Sequence, residues 1–264
     1  MKWLLIVLLI AGTPVITAYS GTFLDDFSDG NLDGWHIQGH PPGTPVEVKN
    51  GYVVMDTTIG KNDNPINFRI LFKIVSLELR TGNSENWNSY TLRCRVKFSK
   101  VPAPPTTSLF TISVRRNKGH FNVMAEQQMQ IIWSGPLEAV AVATVPLDAK
   151  FNIEDGRIVG AVQHTFIRRG RLKPIELNRW IPIKIVAEAN DFEFHFNDNL
   201  LIRYKDETAV PGTVRFQADA EMLVHLDDVA VTGPTVPDLD IGRPHSVYPR
   251  LHLTTTWGEI KNWL

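Results

Sequence analysis

The chain predicts an all-β fold in which two antiparallel sheets stack as a sandwich. Apolar residues recur at every second position in run after run, turn-forming residues separate the runs, and no long amphipathic helix is legible before residue 250. Each such strand has one apolar side to bury, so about a dozen of them with tight turns pack most simply as two facing sheets.

The elements follow in order. An opening strand carries an acidic pair, Phe23-Leu24-Asp25-Asp26-Phe27, and leads through Gly34 to Trp35. Asn50-Gly51 separates 46–49 from 52–56, and both residues tolerate positive φ, which predicts a hairpin. Residues 90–98 alternate without error, with Tyr90, Leu92, Cys94, Val96 and Phe98 on one side. The prolines of 102–105 form a loop that no central strand can hold. Phe110, Ile112 and Val114 mark another strand, and Asp155-Gly156 precedes one over 157–166. Ile181, Ile183 and Ile185, then Phe192, Phe194 and Phe196, give two more, and Asn197-Asp198-Asn199 turns into 200–204. The closing strand carries a second acidic pair, Asp227-Asp228. Its apolar phase slips there, from Val224 and Leu226 to Val229 and Val231, which predicts a bulge.

Composition sets the outer limits. The 264 residues are 43% hydrophobic, enough for one large β domain. A net charge of −1 gives no electrostatic case for nucleic acid as a partner. Met1-Lys2 and the apolar run from Trp3 to Ala11, with Ala18-Tyr19-Ser20 behind it, have the build of a signal peptide over 1–20. The run is too short for a transmembrane span. Secretion to the periplasm or cell surface is the corresponding expectation. Cys94 is the one cysteine, so no intramolecular disulfide forms, and its phase makes it a core residue. The sandwich is expected over 21–233, followed by a proline-rich linker over 234–250. The tail over 251–264 has Thr256 and Glu259 at capping-box spacing and Trp257, Ile260 and Trp263 on one helical face. Such a helix is too short to stand alone and docks on its own domain or on a surface partner.

Three stretches resemble the concanavalin A-like, laminin-G-like jelly-roll superfamily. They are Asp25-Asp26-Phe27 through Gly34-Trp35 and on to Val54, the strand over 90–98, and Asn178-Arg179-Trp180 through Val231. Within that superfamily the order is similar to bacterial 3-keto-disaccharide hydrolase domains. The resemblance implies a jelly roll with a sugar-binding concave face, and it leaves catalysis open.

Retaining glycosidases of this fold need two carboxylates about 5–5.5 Å apart on one strand. The nearest equivalent is Glu126-Gln127-Gln128-Met129-Gln130, where Glu126, Gln128 and Gln130 share a face, flanked by Trp133. Only Glu126 is acidic, so the strand has the polarity of a sugar-binding face without the catalytic pair. Amides donate and accept hydrogen bonds as sugar hydroxyls require, and Trp87 or Trp133 would stack on a pyranose ring. If there is turnover, Glu126 is the candidate acid or base, with His164 as helper. The acidic pairs lie on terminal strands that run side by side, so Asp25, Asp26, Asp227 and Asp228 are candidate ligands of a structural Ca2+. No zinc spacing, nucleophile elbow or phosphate-binding glycine loop occurs. The reading is a secreted, non-catalytic module that binds a glycan or other extracellular polymer. A glycoside hydrolase acting on modified disaccharides and a structural or adhesive cell-surface module are the alternatives.

Overall fold

Alternation of buried and open side chains builds the strands where the sequence places them. The computed structural model describes residues 20–40, 45–58, 74–81, 83–102, 108–118, 124–133, 137–146, 153–154, 157–158, 162–172, 175–219 and 221–241. In chain order the strands are β1 (Gly21–Asp25), β2 (Trp35–His40), β3 (Val46–Lys49), β4 (Tyr52–Asp56), β5 (Ile74–Leu79), β6 (Tyr90–Lys100), β7 (Ser108–Lys118), β8 (Met124–Trp133), β9 (Leu137–Pro146), β10 (Ile153–Glu154), β11 (Arg157–Ile158), β12 (Val162–Arg171), β13 (Trp180–Glu188), β14 (Asp191–Phe196), β15 (Asn199–Lys205), β16 (Thr213–Asp219), β17 (Leu223–Gly233) and β18 (Leu239–Asp240). One 3-10 turn, Ser84–Asn86, is the sole helical element among the described residues.

The first sheet has the order β15-β14-β13-β6-β17-β1-β18, and the hairpin β3–β4 joins it through β4 and β17. The second sheet has the order β12-β9-β8-β7-β16-β5-β2. The core lies between them, with Phe23, Phe98, Phe110, Phe192, Phe194, Phe216 and Leu77 fully buried. Cys94 belongs to this core, and burial pushes its thiol far above the ordinary range, so it is an inert packing residue. Both expected hairpin turns form: Asn50 and Gly51 take φ of 56° and 76°, and Asn197 and Asp198 take 49° and 61°.

The bulge expected in the closing strand marks a fork. Residues 223–226 of β17 pair with β4, and residues 229–233 pair with β1. Between them Asp227 and Asp228 break the register with β6, and Asp228 has a φ of 50°. At the mouth of the fork Asp25 Oδ1 accepts the Phe27 amide at 2.9 Å and Oδ2 accepts the Trp35 indole N–H at 2.7 Å. Trp35 belongs to the other sheet, so this carboxylate ties the two layers together. Burial pushes its pKa up to about 6, against the pull of those two hydrogen bonds.

The expected linker over 234–250 needs correction at its start. Val236 is buried and β18 pairs in parallel with Phe23 and Leu24 of β1, so the sandwich extends to about residue 240. The signal segment, the remainder of the linker, the tail over 251–264 and the turn at Asp155-Gly156 lie outside the described residues. Among the described residues no helix is long and apolar enough to cross a membrane.

Asp25→Ala leaves a buried amide and a buried indole N–H without an acceptor. The expected loss is about 3 kcal/mol of unfolding free energy, read from urea denaturation.

Candidate binding face on the second sheet

The pleat turns alternate residues of the second sheet away from the core, and across five adjacent strands these residues are polar. One row reads His36, Glu78, Arg215, Ser113 and Gln128, from β2 through β5, β16 and β7 to β8. A second row reads Gln38, Ser76, Gln217, Thr111 and Gln130. Leu77, Phe216, Ile112 and Met129, in the row between, point the other way and are fully buried. In register the polar rows reach Val142 and Val140 on β9.

A hydrogen-bonded ladder runs over this face. The Gln130 amide donates to Gln128 Oε1 at 2.6 Å, and the Gln128 amide donates to Glu126 Oε1 at 2.6 Å. Arg215 Nη2 reaches both Glu126 oxygens, at 3.0 and 3.1 Å. Arg116 joins two carboxylates, donating to Glu126 Oε2 at 2.9 Å and to Glu78 Oε2 at 3.1 Å. Beside Arg116, a polar cleft of about 660 Å³ is lined by Glu78, Arg80, Glu85, Asn86 and Asn117 among others. That volume lies in the ~300–1,000 Å³ range of small-molecule sites.

A bulge in β7 puts Arg116 there. The register with β8 slips between Val114 and Asn117, and Arg115 takes a φ of 55°. Arg115 turns inward: its amide donates to the Tyr90 hydroxyl at 2.7 Å and its guanidinium to Asn88 Oδ1 and the Ala189 carbonyl. Its neighbour is thereby delivered to the polar face, opposite Glu126.

Burial alone would raise the Glu126 carboxyl, but Arg215 and Arg116 outweigh it and hold the pKa below the ordinary carboxylate range. Glu126 is therefore ionised at neutral pH, with both oxygens bonded to guanidinium groups. A general acid requires the opposite shift. Glu78, the carboxylate bridged to it, accepts from Arg116 at 3.1 Å and from Arg80 at 3.4 Å.

The structure thus brings Glu126, Gln128 and Gln130 together on one face. It corrects both tryptophans. Trp133 shares the phase of Met129 and Ile131, so it faces the first sheet and meets the Phe98 ring at 4.7 Å. Trp87 is 0% exposed, packed against Phe23 and Tyr90, and no ligand reaches it. His164 occupies the register position two strands from Glu126, through Thr144. That is roughly 10 Å between backbones.

The acidic pairs converge at the fork, yet they do not fit the expected Ca2+. Asp25 is bound by Trp35 and Phe27, Asp26 Oδ1 accepts the Ser28 amide, and Asp227 and Asp228 both bind Arg95. Among the described residues no three His, Cys, Asp or Glu side chains group so as to hold a metal ion. Arg116, Arg215 and Glu78 were not anticipated. The signal for Arg215 was the alternation of Arg215, Gln217 and Asp219 with Val214, Phe216 and Ala218.

Solved structures share this architecture. The carbohydrate recognition domain of Emp46p, in a potassium-bound form, matches with a TM-score of 0.53 and 11% identity, over 81% of this chain and 96% of that one. The corresponding domain of Emp47p gives 0.50 and 10%, over 84% and 99%. A prokaryotic β-1,3-1,4-glucanase (lichenase) derived from a mouse hindgut metagenome gives 0.54 and 12%, over 81% and 99%. The fold is that of the concanavalin A-like jelly rolls. No protein-family model matches the chain and no curated protein matches it in sequence, so the narrower likeness to 3-keto-disaccharide hydrolase domains rests on residue order alone.

Two outcomes follow from this network. Glu126→Gln leaves two guanidinium groups facing each other in a buried site, and urea denaturation is expected to show a loss of about 3 kcal/mol or more. Asp219, at the end of β16, has its pKa pushed from 3.8 up to about 6 by burial, against the pull of the Gln217 amide and Arg215. A carboxyl raised on folding stabilises fully below its unfolded pKa, and that contribution is lost as pH rises through the folded value. Between about pH 4 and pH 7 the wild type should therefore lose stability relative to Asp219→Asn, in denaturation curves taken along that range.

Proposed function

We propose that the chain is a secreted carbohydrate-binding module whose ligand lies along the polar rows of the second sheet. The observation that carries this reading is the row pair itself: amides, hydroxyls, the His36 imidazole and the salt-bridged Glu78 and Arg215 occupy every position across five strands. Gln38, Gln130 and Gln217 are the amides most open to solvent there, each with a donor and an acceptor at its tip. The ionic groups beneath them are matched by one another, so the face suits neutral hydroxyls better than a charged ligand. The polar cleft beside Arg116 adjoins these rows through Glu78.

The fold supports the same reading, since two of its structural neighbours are carbohydrate recognition domains and a third is a glucanase. The apolar segment near the amino terminus supports secretion. Binding is favoured over hydrolysis because Glu126 is held ionised and saturated by two arginines.

A glycan-array screen followed by titration calorimetry tests the reading. Saturable binding to one class of neutral glycan is expected. Gln130→Ala with Gln217→Ala should weaken it roughly tenfold, about the worth of one or two hydrogen bonds. Unchanged affinity in that pair would remove the ligand from this face.

A further inference from the structure

The opposite face of the sandwich carries a second and chemically different surface. On the side of the first sheet turned away from the core, β6 presents Arg93, Arg95 and Lys97 in succession. Arg93 pairs across the sheet with Lys184, and Lys184 pairs in turn with His195. Lys97 pairs with Trp180. Tyr52 closes this end: its ring lies 5.7 Å from Trp180, and Lys97 Nζ sits 4.7 Å from the centres of both rings. Trp180, Tyr52, Lys97 and Lys184 are all partly open to solvent.

The charges on this face are unequally matched. Asp227 and Asp228 answer Arg95, and Glu193 answers His195 and Arg203. Lys97 and Lys184 have no carboxylate partner among the described residues.

We propose that this stripe is a binding site for an acidic oligosaccharide. Trp180 and Tyr52 offer ring surface to sugar C–H groups, and the lysines meet carboxylates carried by the sugar chain. Lys97 and Lys184 stand four residues apart in register, about 13 Å along the strands, so one ligand touching both extends over more than one sugar ring. The chain's net charge of −1 provides no long-range field to gather a nucleic acid, which favours recognition of a sugar acid at short range. The site stands independently of the polar rows on the other sheet.

The test is calorimetric titration of the full chain with an oligogalacturonate, its methyl-esterified neutral counterpart, and a single-stranded DNA of matched charge. The oligogalacturonate should bind saturably and lose affinity with added salt. The neutral counterpart should bind roughly tenfold more weakly or not at all, and so should oligogalacturonate to the Lys97→Gln, Lys184→Gln double variant. Lys97→Arg with Lys184→Arg should restore binding, which separates loss of charge from loss of fold. Gln130→Ala with Gln217→Ala should leave this affinity unchanged. The assignment is overturned if oligogalacturonate does not saturate, if the neutral counterpart or the DNA binds as tightly, or if the glutamine variants rather than the lysine variants abolish binding.

Discussion

The hydrogen bond from the Trp35 indole to Asp25 is the contact on which the rest of the sandwich depends. Asp25 ends β1 in one sheet and Trp35 begins β2 in the other, so the bond sets how the second sheet's edge lies over the first. Trp35 then packs among Phe23, Phe27 and Phe216, each about 6 Å away, and Phe216 is the central residue of β16. The position of β16 decides where Arg215 and Gln217 emerge, and with them the polar rows. An ionisable group at this point carries a desolvation cost, visible in its raised pKa. The two donors it satisfies are the compensation.

Two bulges work to the same end on opposite sheets. At Asp227-Asp228 the strand changes partners, and the slip delivers two carboxylates to Arg95. At Arg115-Arg116 the slip sends one arginine inward to Tyr90 and the next outward to Glu126 and Glu78. Without the second bulge, strict alternation would put adjacent arginines on opposite faces with the phase reversed, and Glu126 would lose its bridge to Glu78. Because a one-residue shift exchanges the faces of a strand, these irregularities are where the side-chain chemistry is decided.

Much of this was legible in the sequence wherever one strand carried the whole signal. The error-free alternation over 90–98, the positive-φ turns and the phase slip at the closing acidic pair all became the expected features. So did the shared face of Glu126, Gln128 and Gln130. Trp133 was placed beside that face by nearness in sequence, although its odd number puts it in the phase of Met129 and Ile131. Trp87 follows a 3-10 turn, where no period tells inside from outside. Arg116 escaped notice because the bulge in β7 reverses its phase, and Arg215 because its partner Glu126 lies 89 residues away in the chain. The aromatic and basic stripe escaped for the same reason: Tyr52, Lys97 and Trp180 are brought together only by the order of β4, β17, β6 and β13.

The two outer faces differ in how they treat charge, and that difference governs what each can recognise. Along the polar rows of the second sheet Glu78 and Glu126 each meet guanidinium groups, so the face offers fixed dipoles and little net field. Binding there should respond weakly to ionic strength. On the first sheet two lysines have no carboxylate partner among the described residues, and one of them rests against aromatic rings, which leaves a local positive field in the open. Attraction there is screened by salt and depends on the ligand's own charge. One sandwich can thus hold a neutral chain on one side and an acidic one on the other without conflict, because the apolar core between them shares residues with both sheets but carries no charge from one to the other.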